Sequence, residues 1–90
     1  MSWRILTASA WADLENLTDD ERAAVASDLL AWVDPGPPRS NRREVRGVEM
    51  FDDRLPSGFE VVYVVDEVVP YAALLRIRRT KPPGAGPLSW

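Results

Sequence analysis

Phe59-Glu60-Val61-Val62-Tyr63-Val64-Val65 is the stretch on which the reading of this 90-residue chain turns. Its unbroken run of β-branched and aromatic residues from Val61 to Val65 favours a pleated strand. Turn signals bound it on both sides, Pro56-Ser57-Gly58 before and the polar Asp66-Glu67 after. Beyond that turn, Pro70 opens a second strand-like run, Tyr71 to Arg79, a position in which proline is tolerated. Ahead of it, Val45 to Leu55 alternates well enough to form a third. Turns this short predict an antiparallel meander.

The N-terminal third follows a different period. Trp3 to Thr7 reads as a short strand. Ala8 to Leu17 reads as a helix, with Ala10, Leu14 and Leu17 spaced to form one apolar stripe and Trp11 beside them. Thr18-Asp19-Asp20-Glu21 is a capping box, in which hydroxyl and carboxylate each satisfy an orphan backbone donor. A second helix therefore starts near Asp19, buries Val25, Leu29, Trp32 and Val33, and ends by Asp34-Pro35, where proline removes a donor. Residues 35–43 read as a Pro-rich, then Arg-rich connector that includes Arg42 and Arg43. The expected fold is a two-layer α+β domain of order β-α-α-β-β-β, its helical hairpin packed on one face of a four-stranded, mainly antiparallel sheet. Residues 1–80 make this single domain and residues 81–90 a Pro/Gly-rich C-terminal tail, expected to be extended.

Period-two alternation sorts the strand residues between two faces. Trp3, Ile5, Phe59, Val61, Tyr63 and Val65 point toward the helices on this reading, together with Tyr71, Ala73, Leu75 and Ile77. The opposite face takes Arg4, Leu6, Glu60, Val62 and Val64, with Leu74, Arg76 and Arg78. Trp11, Leu14, Val25, Leu29 and Trp32 are expected to pack against Phe59, Val61 and Leu75. Tyr63 and Tyr71 are read as core residues. The outer face is half apolar and half arginine, where a solvated sheet face is polar. Strand propensity alone accounts for its valines, and a covered or concave site accounts for them equally.

Charge is unevenly distributed. The chain carries a net −3, yet residues 1–38 hold two arginines against seven acids, and residues 39–90 reverse the sign to +2. Arg76, Arg78, Arg79 and Lys81 cluster near the end with no acid among residues 74–90. The chain lacks cysteine and histidine, which removes disulfides, thiol nucleophiles, thiolate metal sites and the commonest general base. No cofactor and no metal are expected. The longest apolar run, Val68 to Leu75, is interrupted by Pro70 and far shorter than a bilayer span. A cytoplasmic protein without membrane partners is expected.

The element order and three short motifs resemble the RelE/ParE superfamily of bacterial type II toxins. The strand and helical hairpin over Trp3 to Val33, with the terminating Asp34-Pro35, are similar to that family. So are Gly58-Phe59-Glu60-Val61-Val62-Tyr63, the acidic turn Asp66-Glu67, and the strand end Leu75-Arg76-Ile77-Arg78-Arg79. Where the family often carries an arginine in its third strand, this chain has Glu60. The tail closes on Leu88-Ser89-Trp90, without the family's usual tyrosine.

The resemblance implies a growth-inhibiting toxin neutralised by a cognate antitoxin protein. RelE-like members cut mRNA in the ribosome, using the RNA 2′-hydroxyl as nucleophile, and need no metal. ParE-like members inhibit DNA gyrase instead. A degenerate, non-toxic interaction module is the third reading. Carried onto this sequence, the catalytic candidates are Arg76 and Arg78, as phosphate or transition-state contacts, and Glu60. The Glu60 carboxylate is read either as a general base or as a salt-bridge partner of Arg76 or Arg78. Arg79, Lys81, Arg46 and Arg54 are the candidates for binding the nucleic-acid backbone, because a guanidinium fork or an ammonium suits phosphate oxygens.

Overall fold

The capping box forms as the sequence dictates. Thr18 N donates to Glu21 Oε1 at 2.9 Å and Glu21 N donates to Thr18 Oγ1 at 3.1 Å. In the computed structural model, which describes residues 2–79, this cap starts helix α2, Asp19–Leu30. The chain then unwinds through single turns, and Gly36 N closes the last of them on Trp32 O at 2.8 Å. Gly36 has φ +90°, and a Cβ there would lie 2.7 Å from Trp3 Nε1, so no other residue fits without displacing the indole.

The first helical segment is shorter than its periodicity suggests. Ala8, at φ 41°, opens a 3₁₀ turn, Ala8–Ala10, and only Trp11–Glu15 is α-helical (α1). The stripe itself holds: Ala10 and Leu17 are buried and Leu14 is packed against the core. Trp11 does not join it and is 59% exposed. It stands one residue past Ala10, about 100° round the helix from the stripe.

The sheet has five strands rather than four, and it is mixed. Strand β1, Arg4–Leu6, runs parallel to β5, Tyr71–Arg79. Next come β4, Phe59–Asp66, β3, Val48–Arg54, and β2, Asn41–Val45, each antiparallel to its neighbour, in the order β1-β5-β4-β3-β2. The extra strand forms from the Arg-rich end of what reads as the connector, 35–43, together with Glu44 and with Val45, the first residue of the expected Val45 to Leu55 run. Arg46 and Gly47, both at positive φ, turn the chain between Val45 and Val48. The strand Asn-Arg-Arg-Glu-Val lacks apolar alternation because it is an edge with all five residues exposed, where charge is tolerated.

One irregularity decides which residues face the helices. In the β4–β5 ladder Val62 pairs with Arg76 but Tyr63 pairs with Leu74, leaving Leu75 as the extra residue of a bulge. Cross-strand partners share a face, so Leu74 and Ala72 lie with Tyr63 and Val65 on the helix side, and Tyr71 and Ala73 lie opposite. Strict alternation through Leu75 assigns these four residues the wrong way round. Beyond the bulge the phase returns, and Ile77 enters the core with Val61.

Both helices therefore cover one sheet face. Leu17, Val25, Leu29 and Trp32 pack with Phe51, Leu55, Phe59, Val61, Tyr63, Ala72, Leu74 and Ile77. Inside this core sits one buried polar network. Tyr63 Oη donates to Asp53 Oδ2 at 2.5 Å and accepts from Arg39 N at 2.8 Å, while Ser40 N donates to the same Asp53 oxygen at 3.2 Å. The network pins the connector to the sheet. Burial, reinforced by the Asp53 bond, pushes the Tyr63 phenol above its ordinary range, so it stays protonated and structural. Among the described residues no helix is long and apolar enough to cross a membrane. The expected tail, 81–90, lies outside the described residues.

Leu29 and Tyr63 test this packing separately. Leu29→Ala should cost about 2–5 kcal/mol, the range for truncating a buried leucine. Tyr63→Phe should cost about 1–3 kcal/mol, because it leaves the Asp53 carboxylate short of a donor. Urea unfolding of the three proteins measures both.

Candidate functional site

The face away from the helices is built in rows across the sheet. Register places Arg54, Glu60 and Arg78 side by side on β3, β4 and β5, and Asp52, Val62 and Arg76 in the next row. Asn41 and Arg43 extend the face onto β2, opposite Asp52 and Met50. On the other side, Arg4 pairs with Tyr71. Val62 is only 6% exposed although it lies outside the main core, so the floor between the arginines is apolar and covered.

Three arginines of this face, Arg43, Arg76 and Arg78, are individually tethered. Arg78 Nη2 donates to Glu60 Oε1 at 2.9 Å, which realises the salt-bridge alternative for Glu60 with Arg78 rather than Arg76. Arg43 Nη2 donates to Asp52 Oδ1 at 3.0 Å. Arg76 reaches over the sheet edge, where its Nε donates to Asp13 Oδ2 at 3.0 Å. Arg54 is exposed and forms no ion pair among the described residues.

Asp13 can do this because β1 pairs with β5 only from Tyr71 to Ala73. Past Ala73 the edge of β5 is open, and α1 packs beside it. The same Asp13 oxygen accepts the Ile77 N–H at 2.9 Å. That backbone bond, followed by Arg76, holds the Asp13 carboxyl below its ordinary 3.8.

Not all the cations read from the sequence converge. Arg76, Arg78, Glu60 and Arg54 occupy adjacent positions of one face. Arg79 does not join them: it pairs across the ladder with the buried Phe59, so it lies on the helix side. There Glu21 of α2 takes it in a two-pronged bridge, Nε to Oε2 at 2.9 Å and Nη2 to Oε1 at 2.6 Å. Arg46 sits at the tip of the β2–β3 turn, away from the rows. Lys81 lies outside the described residues. Three residues of the site, Arg43 and Asp52 on the face and Asp13 at its edge, escape the sequence reading. Arg43 was hidden by the assignment of its segment to a connector. Asp13 carries no local signal, since its partners are some sixty residues away. Among the described residues no group of His, Cys, Asp or Glu is arranged to hold a metal ion.

Such a face suits an anion with planar oxygen pairs, because Arg76 and Arg78 project from neighbouring rows beside the buried Val62, Arg76 toward the β5 edge and Arg78 beside Glu60. Solved structures share this framework. The chain aligns with the isolated E. coli RelE toxin over 98% of its own length and 95% of the other, at a TM-score of 0.69 and 14% identity. It has the RelE fold. The toxin of E. coli within the intact RelBE toxin–antitoxin complex shares that fold at a TM-score of 0.61 and 16% identity, over 90% and 98% of the two chains. The RelBE2 toxin–antitoxin complex of Mycobacterium tuberculosis gives a TM-score of 0.58 at 19% identity, over 89% and 100%. No protein-family model matches the sequence, and no curated protein matches it.

The Asp13 contacts have a measurable signature. A carboxyl whose folded value is depressed stabilises the fold above its ordinary value and loses that contribution as pH falls through the folded value. Wild type should therefore exceed Asp13→Asn in urea midpoint at pH 5. The gap should close on acidification below pH 3.8, the ordinary value. Parallel urea titrations from pH 5 to about pH 2.5 follow it.

Proposed function

We propose that this chain is the toxin of a type II toxin–antitoxin pair and cleaves mRNA in the ribosome. The observation that carries the reading is the placement of Arg76 and Arg78 in neighbouring rows of the open face of a RelE fold, with Arg54 beside them. Attack of an RNA 2′-hydroxyl on the adjacent phosphate forms the O2′–P bond and breaks the P–O5′ bond. It leaves a 2′,3′-cyclic phosphate and a 5′-hydroxyl that takes its proton from solvent. The reaction passes through a phosphorane that carries added negative charge. A fixed guanidinium lowers that state more than the ground state. Arg76 and Arg78 take this role. Glu60, between Arg54 and Arg78, is the carboxylate positioned to receive the 2′-hydroxyl proton. Arg54 binds a neighbouring backbone phosphate, and the reaction uses no metal or cofactor. A cognate antitoxin is the protein partner, supported by the toxin–antitoxin complexes that share the fold.

A second reading, gyrase inhibition without nuclease activity, is favoured by one feature. Glu60 places a negative charge at the centre of the arginine row and already engages Arg78.

Induced expression tests both. Wild type should arrest growth and leave new transcript ends. The Arg76→Ala/Arg78→Ala protein should do neither while keeping the wild-type unfolding free energy, read from urea titration, to within about 1 kcal/mol, since both side chains are more than half exposed. Arrest without transcript cleavage would support the gyrase reading. A wild type that fails to arrest growth in the absence of any antitoxin would leave an interaction module.

A further inference from the structure

The Arg76 guanidinium is gripped from one side only. Asp13 Oδ2 takes its Nε, and among the described residues no acid takes either terminal amino group. Arg78 is held differently, through Nη2. A guanidinium fixed at Nε keeps its two terminal amino groups together as a fork, the arrangement that meets two phosphate oxygens in parallel. Asp13 is itself immobilised by the Ile77 N–H, on the residue next to Arg76. The carboxylate is thus a bracket between the edge of β5 and the arginine that projects from it.

We propose that Asp13 is a positioning residue that aims Arg76 at the scissile phosphate. This rests on the nuclease reading above and assigns α1 a part in that reaction. An arginine stem has several rotatable bonds, and an untethered guanidinium samples orientations that do not match the phosphorane. Because Asp13 carries negative charge close to where RNA lies, it also opposes RNA binding while it orients the group that acts on it. Positioning and attraction therefore pull in opposite directions at this residue, and that opposition separates the proposal from a merely structural role.

Asp13→Asn isolates the effect. The amide oxygen can still accept the Ile77 N–H, so the strand edge stays capped, but the charge that fixes Arg76 is gone. With a defined mRNA on programmed bacterial ribosomes as substrate, KM should stay level or fall. The maximal cleavage rate should drop by about tenfold to a hundredfold, the scale associated with ångström-level misplacement of a catalytic group. Nitrogen-15 NMR should show the Arg76 Nε–H protected from exchange in wild type and exchanging faster in the variant, where a neutral amide oxygen replaces the charged acceptor. Asp19→Asn, the same charge change at the start of α2, should leave the rate unchanged. A rate that rises in Asp13→Asn would mean that the carboxylate restrains Arg76, and would overturn the proposal. So would an unchanged rate, or a rate loss matched by a fall in melting temperature with Nε–H protection retained. A wild type that does not cleave would defeat the nuclease reading and this inference together. A cleaving wild type with an unaffected variant would defeat the inference alone.

Discussion

The bulge at Leu75 is the constraint on which the two faces of this sheet depend. A strand alternates strictly, so one extra residue exchanges the faces of everything on one side of it. Before the bulge, Ala72 and Leu74 serve the core; after it, Ile77 does, and Arg76 and Arg78 are released to the open face. Without the extra residue, β5 would not bury Leu74 and Ile77 together while leaving both arginines outside. The apolar requirement of one layer and the cationic requirement of the other are met by a single local irregularity.

The electrostatics follow a related logic. The chain is acidic overall, yet its open face presents arginines. The described arginines of the β5 end each meet a carboxylate from a different element: Arg76 meets Asp13 of α1, Arg78 meets Glu60 of β4, and Arg79 meets Glu21 of α2. Exposed pairs of this kind contribute little to stability, because water screens them and ordering two long side chains offsets the gain. Their effect is on geometry and on local potential. They hold flexible side chains in defined places and lower the field that an anion meets.

Much of this was legible in the sequence. The capping box at Thr18, the stripe Val25–Leu29–Trp32, the strands Phe59 to Val65 (one residue short of its observed end at Asp66) and Tyr71–Arg79, and the burial of Tyr63 all follow from period, caps and turn residues. What escaped did so for identifiable reasons. Strand β2 is an edge without an apolar face, and its Arg46-Gly47 turn is not among the dipeptides that announce a hairpin. The bulge has no compositional mark, so strict alternation places Tyr71 and Leu74 on each other's faces. Trp11 is a large apolar residue that the stripe does not need. At the site, alternation groups Arg76, Arg78 and Glu60, whereas Arg54 reads only as a cation on the neighbouring strand and is brought beside them by its pairing with Glu60. Arg79 could not be set apart from them, because its side is decided by its pairing with Phe59 and its bridge to Glu21.

The parallel pairing of β1 with β5 has a consequence for how the chain reaches this structure. Arg4 meets Tyr71, so the first strand finds its partner only after nearly all of the described chain has been made. During synthesis β1, α1 and α2 emerge first, with Leu14, Val25 and Leu29 lacking the strands that will bury them. The β2–β3 and β3–β4 hairpins join sequence neighbours and close short loops. The closing contacts join sequence-distant ends and carry the larger loop entropy. The N-terminal segment thus waits, apolar stripe uncovered, for the last strand, and that interval is when a partner protein or a chaperone has most to hold.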